Sequence, residues 1–279
     1  MTKPIALLLA ALMLFTLAAC GETPAEAPPL DLAAETTADP AADSDRAYVK
    51  SKGTLRVGIA DFQPMDYKSE NGEWIGFDAD MAKAFAASLG VAVEFVEIDW
   101  DNKVLALNDK TIDCVWNGMT LTDDVTASME CSKPYCRNAQ VIIVPAESAG
   151  QYQTIEDCRD LKFAVEADSA GEKEIEALGY AATPFKSQAA ALTSVSEKTS
   201  EAAVIDLLMA AALVGPETTH EDLTYTVQLN SEVYGVGFRK GSDLASKLNI
   251  FLAAAYADGL IQKIAGTYGV QAALIPQNV

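Results

Sequence analysis

The sequence predicts an α/β protein built as two lobes. Strand and helix patterns alternate from residue 54 onward, as expected for a parallel sheet with helices on its faces. The alternation begins again beyond Pro145, after one further strand. Only one strand then precedes the closing pair of helices, too little for a third domain. With 279 residues and 50% hydrophobic content, the chain can bury one large or two modest cores.

The N-terminal residues read as an export signal. Lys3 gives a positive start, and residues 5–19 form a largely apolar run, short for a membrane span but suited to a signal core. The run ends Leu17-Ala18-Ala19-Cys20-Gly21. Small residues before a cysteine resemble the lipobox of bacterial lipoproteins, which makes 1–20 the signal peptide and Cys20 the lipidated residue. Residues 21–45 are rich in Ala, Pro, Thr, Glu and Asp and lack the apolar side chains a core needs. They are expected to be a flexible tether of roughly 25–30 Å root-mean-square length.

In the folded part, 54–60 alternate as a strand, Asn71-Gly72 marks a turn, and Gly76-Phe77-Asp78 opens a helix. Its apolar positions Phe77, Met81, Phe85 and Leu89 recur every four residues, and Gly90 closes it. Residues 91–98 form the next strand, 103–107 a short helix, and 112–116 a third strand that meets a bend at Asn117-Gly118. Thr122 then caps a helix whose first turn carries Asp123 and Asp124, favourable at its positive end. A strand, a glycine and a capped helix present amides and hydroxyls at the carboxyl end of a strand, where open α/β sheets bind small ligands.

Residues 141–144 form one more strand. A short helix from Ile155 and a strand over 162–165 follow, and Ser169 with Glu172 makes a capping box at the next helix. Residues 181–185, 188–197, 202–205 and 207–214 continue as strand, helix, strand, helix until Gly215-Pro216. A strand over 224–229 leads to 233–238, and helices over 244–258 and 260–268 return to the first lobe. This divides the chain into lobe 1 (46–144 with 232–279) and lobe 2 (145–231), with crossings near 144–146 and 230–233.

Composition excludes several functions. A formal net charge of -20 repels phosphate backbones, so nucleic acid is not an expected partner. One histidine, His220, cannot form a histidine metal cluster, and no phosphate-binding glycine loop or Ser/His/Asp pattern is present. No metal or cofactor is expected. Cys114, Cys131, Cys136 and Cys158 match no zinc spacing. An exported chain could join Cys131 to Cys136, or Cys114 to either; Cys158 suits a buried free thiol.

The motifs Gly53-Thr-Leu-Arg-Val-Gly, Gly72-Glu-Trp-Ile-Gly-Phe-Asp-Ala-Asp-Met-Ala, Gly118-Met-Thr-Leu-Thr-Asp, Ser132-Lys-Pro-Tyr135 and Tyr234-Gly-Val-Gly-Phe-Arg-Lys-Gly-Ser-Asp243 occur in order. Together they resemble the extracellular solute-binding proteins of family 3, receptors of polar amino-acid ABC importers, over residues 53–269. The resemblance implies a periplasmic-binding-protein type II fold, two α/β lobes joined by two hinge strands and closing on a ligand. It implies a monomer, docking on a membrane permease. It places Phe62 and Trp100 against the ligand's apolar stem or a cation. Gly118 and Thr120 fall where the ligand's polar head is received. Ser169 and Ala170 start a helix whose amides favour a carboxylate, and Asp206 matches the acid that holds the ammonium.

The chain departs from the pattern at Val125, where the family usually has an arginine that grips the ligand's α-carboxylate. Glu166 adds an acid to the same cleft. Arg137 or Lys103 could supply the missing cation, although both are expected to be exposed. The leading expectation is a receptor for an amino acid or related amine, with its carboxylate at the Ser169 helix start. Relatives with prephenate or arogenate dehydratase activity suggest an enzyme in which Glu166 donates a proton if burial raises its pKa. A ligand sensor for a membrane kinase is a third reading, disfavoured because no membrane helix follows residue 20.

Overall fold

The computed structural model describes residues 44–277. The expected signal peptide, Cys20 and nearly all of the tether lie outside the described residues.

The first lobe opens, about where expected, with a helix that its polar sequence does not announce. Ser44 caps α1 (Asp45–Lys52) by accepting from the Ala47 amide, and Gly53 ends it in the left-handed region. Only Val49 of this helix is buried, so apolar periodicity cannot reveal it. Arg239 holds it: Nε donates to both oxygens of Asp45 at 3.0 Å, and Nη1 to the carbonyls of Leu107 and Ile112. Then come β1 (Thr54–Ile59) and a small hairpin, β2 (Tyr67–Lys68) and β3 (Trp74–Ile75), around the Asn71-Gly72 turn. α2 (Phe77–Leu89) starts at Gly76, whose φ is 130° and where a Cβ would lie 2.1 Å from the Met65 carbonyl oxygen. Glycine is therefore required for this close approach.

β4 (Ala92–Glu97), a short 3₁₀ turn (Trp100–Asn102), α3 (Lys103–Asn108), β5 (Cys114–Thr120) and α4 (Asp123–Ser128) complete the alternation. β6 (Glu130–Cys131) and β7 (Cys136–Asn138) are short additions along the sheet. The second lobe holds β8 (Gln140–Pro145), β9 (Phe163–Glu166), α5 (Ala170–Leu178), β10 (Ala182–Phe185), α6 (Gln188–Ser196), β11 (Ala202–Asp206), α7 (Leu207–Leu213) and β12 (Leu223–Gln228). The chain returns through β13 (Glu232–Phe238) and ends in α8 (Leu244–Ala257) and α9 (Leu260–Tyr268).

The first sheet runs β4-β1-β5-β13-β6, with β7 also on β13, and the second runs β10-β9-β11-β8-β12. β4, β1 and β5 are parallel, as are β10, β9 and β11; the strands next to the crossings are antiparallel.

Two expectations change. Strand 141–144 was placed in lobe 1, but β8 pairs from Ala203↔Ile143 to Asp206↔Gln140, inside the second sheet. The first crossing therefore falls at Ala139, between β7 and β8, ahead of 144–146. Periodicity identifies a strand but not the partner it pairs with. The return falls between Gln228 and Glu232, where it was expected. The bend at Asn117-Gly118 does not end its strand either. Gly118 takes φ +54° inside β5, pairing resumes at Gly235↔Met119, and the register shifts opposite it between Gly235 and Gly237.

The cores of the two lobes are partly merged. The largest apolar cluster passes from Phe85, Trp116 and Phe251 through Tyr135 and Tyr234 to Val141, Ile143 and Ile205 of the second lobe. Smaller clusters cover the other face of each sheet. All four cysteines of this region are free thiols, with Cys114, Cys136 and Cys158 buried. Among the described residues no single helix is long and apolar enough to cross a membrane.

Candidate functional site

The eight ligand-binding positions expected from the sequence line one cavity between the lobes. Phe62, Trp100, Gly118 and Thr120 come from the first lobe; Glu166, Ser169, Ala170 and Asp206 come from the second. Phe62 follows β1 and meets Tyr234 edge-on, with ring centroids 6.2 Å apart. A Cβ on Gly118 would lie 2.5 Å from Phe62 Cε1. Gly118→Ala is therefore expected to displace the Phe62 ring and strain the backbone at a positive φ, costing about 1–3 kcal/mol of stability. Ligand affinity should fall at least ten-fold in calorimetry; wild-type affinity would show that the ring does not contact ligand.

Beneath this wall lies a buried acid pair. Asp78 Oδ2 accepts from the Gly118 amide at 2.6 Å and from the Tyr135 hydroxyl at 2.7 Å. Three of the sequence motifs thus meet at one carboxylate. Asp66 Oδ2 accepts from Asn117 Nδ2 at 2.8 Å, while the Asn117 amide also bonds both backbone groups of Ala60. Burial pushes the Asp78 carboxyl up to about 7, against the pull of Tyr135 and Gly118. Burial, then the Asp78 charge, pushes Asp66 well above the usual carboxylate range. The Gly118 amide, expected to face a ligand's polar head, is occupied by Asp78.

Asp206 is likewise occupied. Its Oδ1 accepts from Asn138 Nδ2, Gln140 Nε2 (3.1 Å) and the Tyr234 hydroxyl (2.6 Å), and its Oδ2 from Gln188 Nε2. The Asn138 and Gln140 amides also donate to Glu232 Oε1, as does the Thr120 hydroxyl at 2.8 Å. Glu232 Oε2 takes Asn230 Nδ2 at 2.9 Å. Asn138 and Gln140 flank the first crossing; Asn230 and Glu232 flank the second. This network ties both crossings to the site. Burial, then Glu232, raises the Asp206 carboxyl well above its ordinary value.

The second lobe's helix start differs in detail from a capping box. Ser169 Oγ accepts from the Glu172 amide at 3.1 Å, as expected, but Glu172 Oε2 accepts from Asp168 N instead of the cap residue. The first-turn amides of α5 stay free of intrahelical acceptors. Glu166 ends β9, is 6% exposed, and is pushed by burial up to about 7, with Gln188 and Lys103 opposing.

Ion pairs cross the cleft. Lys103 is buried, against the expectation that it is exposed, because the second lobe covers it. Its Nζ donates to the Trp100 carbonyl (3.0 Å), the Asp168 carbonyl (3.3 Å) and Asp168 Oδ2 (2.5 Å), and lies 4.9 Å from the centre of the Trp100 ring. Lys173 of α5 reaches Asp124 of α4 at 2.9 Å. Arg137 is exposed and donates to the Leu274 carbonyl, outside the cavity. Val125 lines the cavity where an arginine was looked for. Sequence reasoning missed Asp168, Lys173 and Gln188. Asp168 sits at φ +56°, a conformation glycine takes freely and aspartate tolerates, and an acid at such a helix entry was the available signal.

Two α/β lobes, two crossings and a cavity lined from both sides are one architecture, and the family model for bacterial extracellular solute-binding proteins, family 3, matches residues 55–271. The chain belongs to that family. Among this solute-binding protein's relatives, the L-cystine-binding protein TcyJ of Escherichia coli is 27% identical over 226 residues, 77% of this chain and 82% of the relative. The arginine-binding extracellular protein ArtP of Bacillus subtilis is 26% identical over 273 residues, covering 95% of this chain and 96% of its own. The crystal structure of the ancestral amino acid-binding protein AncCDT-1, a precursor of cyclohexadienyl dehydratase, superposes with a TM-score of 0.75 at 30% identity, over 81% of this chain and 99% of that one. A cyclohexadienyl dehydratase of Pseudomonas aeruginosa is 30% identical over 109 residues, 39% of this chain and 41% of the enzyme. The solute-binding protein therefore has the type II periplasmic-binding-protein fold.

Proposed function

We propose that this solute-binding protein is the extracytoplasmic receptor of an ABC importer for an amino acid or a related amine. It is anchored through a lipid on Cys20, acts as a monomer, and binds by lobe closure without chemistry. One observation carries the reading: side chains from both lobes line a single cavity, and Lys103–Asp168 spans it from lobe to lobe. Closure gains only what the closed form adds, namely the second wall of contacts and these ion pairs. The rings of Phe62 and Trp100 enclose an apolar stem, and the α5 amides at Ala170 take a carboxylate. The closed shape is the form a membrane permease recognises. The relatives named for cystine, arginine and amino-acid binding support the same class of ligand.

A thermal-shift screen over amino acids, polyamines and quaternary amines tests it. A true ligand at a hundred times its dissociation constant should stabilise the protein by about 2.7 kcal/mol. Absence of stabilisation by every compound would overturn the reading. The dehydratase alternative has its own support, a buried carboxyl at Glu166 raised to about 7 and thus protonated in part near neutrality. Against it, both lysines of the lining are already ion-paired, leaving little to hold a dicarboxylate. Turnover of prephenate in the same plates, lost in Glu166→Gln, would favour the enzyme.

A further inference from the structure

We propose that Glu166, rather than Asp206, receives the ligand's cationic group, so that the cleft selects molecules with an excess of positive charge, basic amino acids or amines. This rests on the receptor reading above and specifies the ligand class of the same site.

The charged groups of the lining are Asp61, Glu166, Asp168 and Asp206 against Lys103 and Lys173, two cations and four acids, a formal charge of −2. They differ in what they have left to offer. A carboxylate has about four lone-pair positions. Asp206 already takes four donors from within the protein, three on Oδ1 and one on Oδ2, which leaves it a single position on Oδ2. Asp168 is turned to Lys103, with Lys173 beyond at 3.8 Å. Asp61 lies at the exposed rim.

Glu166 is the exception. It is buried at the end of β9 and lines the cavity, yet among the described residues it forms no ion pair. Its neighbouring donor is the Gln188 amide, which also donates to Asp206. An acid buried with no cation in contact, only the more distant pull of Lys103, is costly to ionise, and a ligand ammonium or guanidinium placed there would lower that cost. Phe62 and Trp100 line the same cavity and offer ring faces to such a cation.

The opposite charge is poorly served. An ammonium has three protons, and Lys103 spends them on Trp100 O, Asp168 O and Asp168 Oδ2. Engaging a ligand carboxylate would mean releasing the contact that joins the lobes. Lys173 is drawn outward to Asp124. Val125 offers no charge. A single carboxylate can rest on the α5 amides, but a second negative group has no partner.

Calorimetry on the wild type, Glu166→Gln and Asp206→Asn, with arginine, putrescine, alanine and glutamate as probes, tests this. Arginine or putrescine should bind the wild type, and glutamate should not. Glu166→Gln should weaken the cationic probe at least ten-fold while retaining the wild-type melting temperature within a few degrees. Asp206→Asn should weaken it less. Cation affinity unchanged in Glu166→Gln, or glutamate bound more tightly than arginine, would overturn the proposal and leave the receptor reading standing. Failure of all four probes and of the wider screen would remove both.

Discussion

Asp206→Ala should lower the free energy of unfolding by about 3 kcal/mol. The Tyr234 hydroxyl and the Gln188 amide lose their acceptor in a fully buried place, each at a cost of about 1–3 kcal/mol. Asn138 and Gln140 keep Glu232 as an acceptor, so they contribute less. Relief of the repulsion between Asp206 and Glu232 works in the opposite direction, which is why the figure is below the sum for four broken bonds. In a chain of this length the loss corresponds to a drop in melting temperature of roughly 6–12 °C. Because the network joins both crossings, ligand affinity should fall as well, through loss of hinge geometry. Denaturant titration at fixed pH checks the stability, and an unchanged midpoint would show that these groups find other partners.

The second large effect is on pH dependence. Burial raises the carboxyls of Asp66, Asp78, Glu166 and Asp206, with Asp78 and Glu166 at about 7. A raised acid holds its proton in the folded state after the unfolded chain has lost it. The stability this confers is complete below the unfolded values near 4 and is lost as pH rises through about 7. For Asp78 alone, the rise from 3.8 to about 7 sets a limit of about 4 kcal/mol. Unfolding free energy should therefore fall between pH 5 and pH 7. Asp109, Asp124 and Asp157 are lowered by hydrogen bonds and pull the other way, but they are fully exposed and their effect is screened. The net charge of -20 also favours lower pH, so the variant decides. Asp78→Asn should flatten the slope by about one proton, and a stability that rises over this window would contradict the assignment.

Much of the architecture was legible because local chemistry repeats it. The spacing of Phe77, Met81, Phe85 and Leu89 placed α2, and Gly90 marked a helix end that the structure keeps in the left-handed region. The eight positions named through ordered motifs all line one cavity. Other features were hidden. α1 is held by an arginine far along the chain and buries one residue, so no pattern within it announces a helix. Lys103 looked exposed because its cover is the second lobe. Asp206 looked available because nothing local says that Asn138, Gln140, Gln188 and Tyr234 converge on it.

The sequence by itself determined the α/β class, the two-lobed series of elements, the positions of most strands and helices and the family whose motifs it carries. These follow from periodicity, capping and turn residues, which act over a few positions. Only the tertiary structure decided which sheet β8 joins, where the crossings lie, and which charged groups of the cleft are spent on one another. Those outcomes depend on hydrogen bonds between residues far apart in sequence, such as Lys103 with Asp168 or Asp206 with Gln140. A carboxylate's partners, and hence its freedom to bind a ligand, are set by what folding brings beside it.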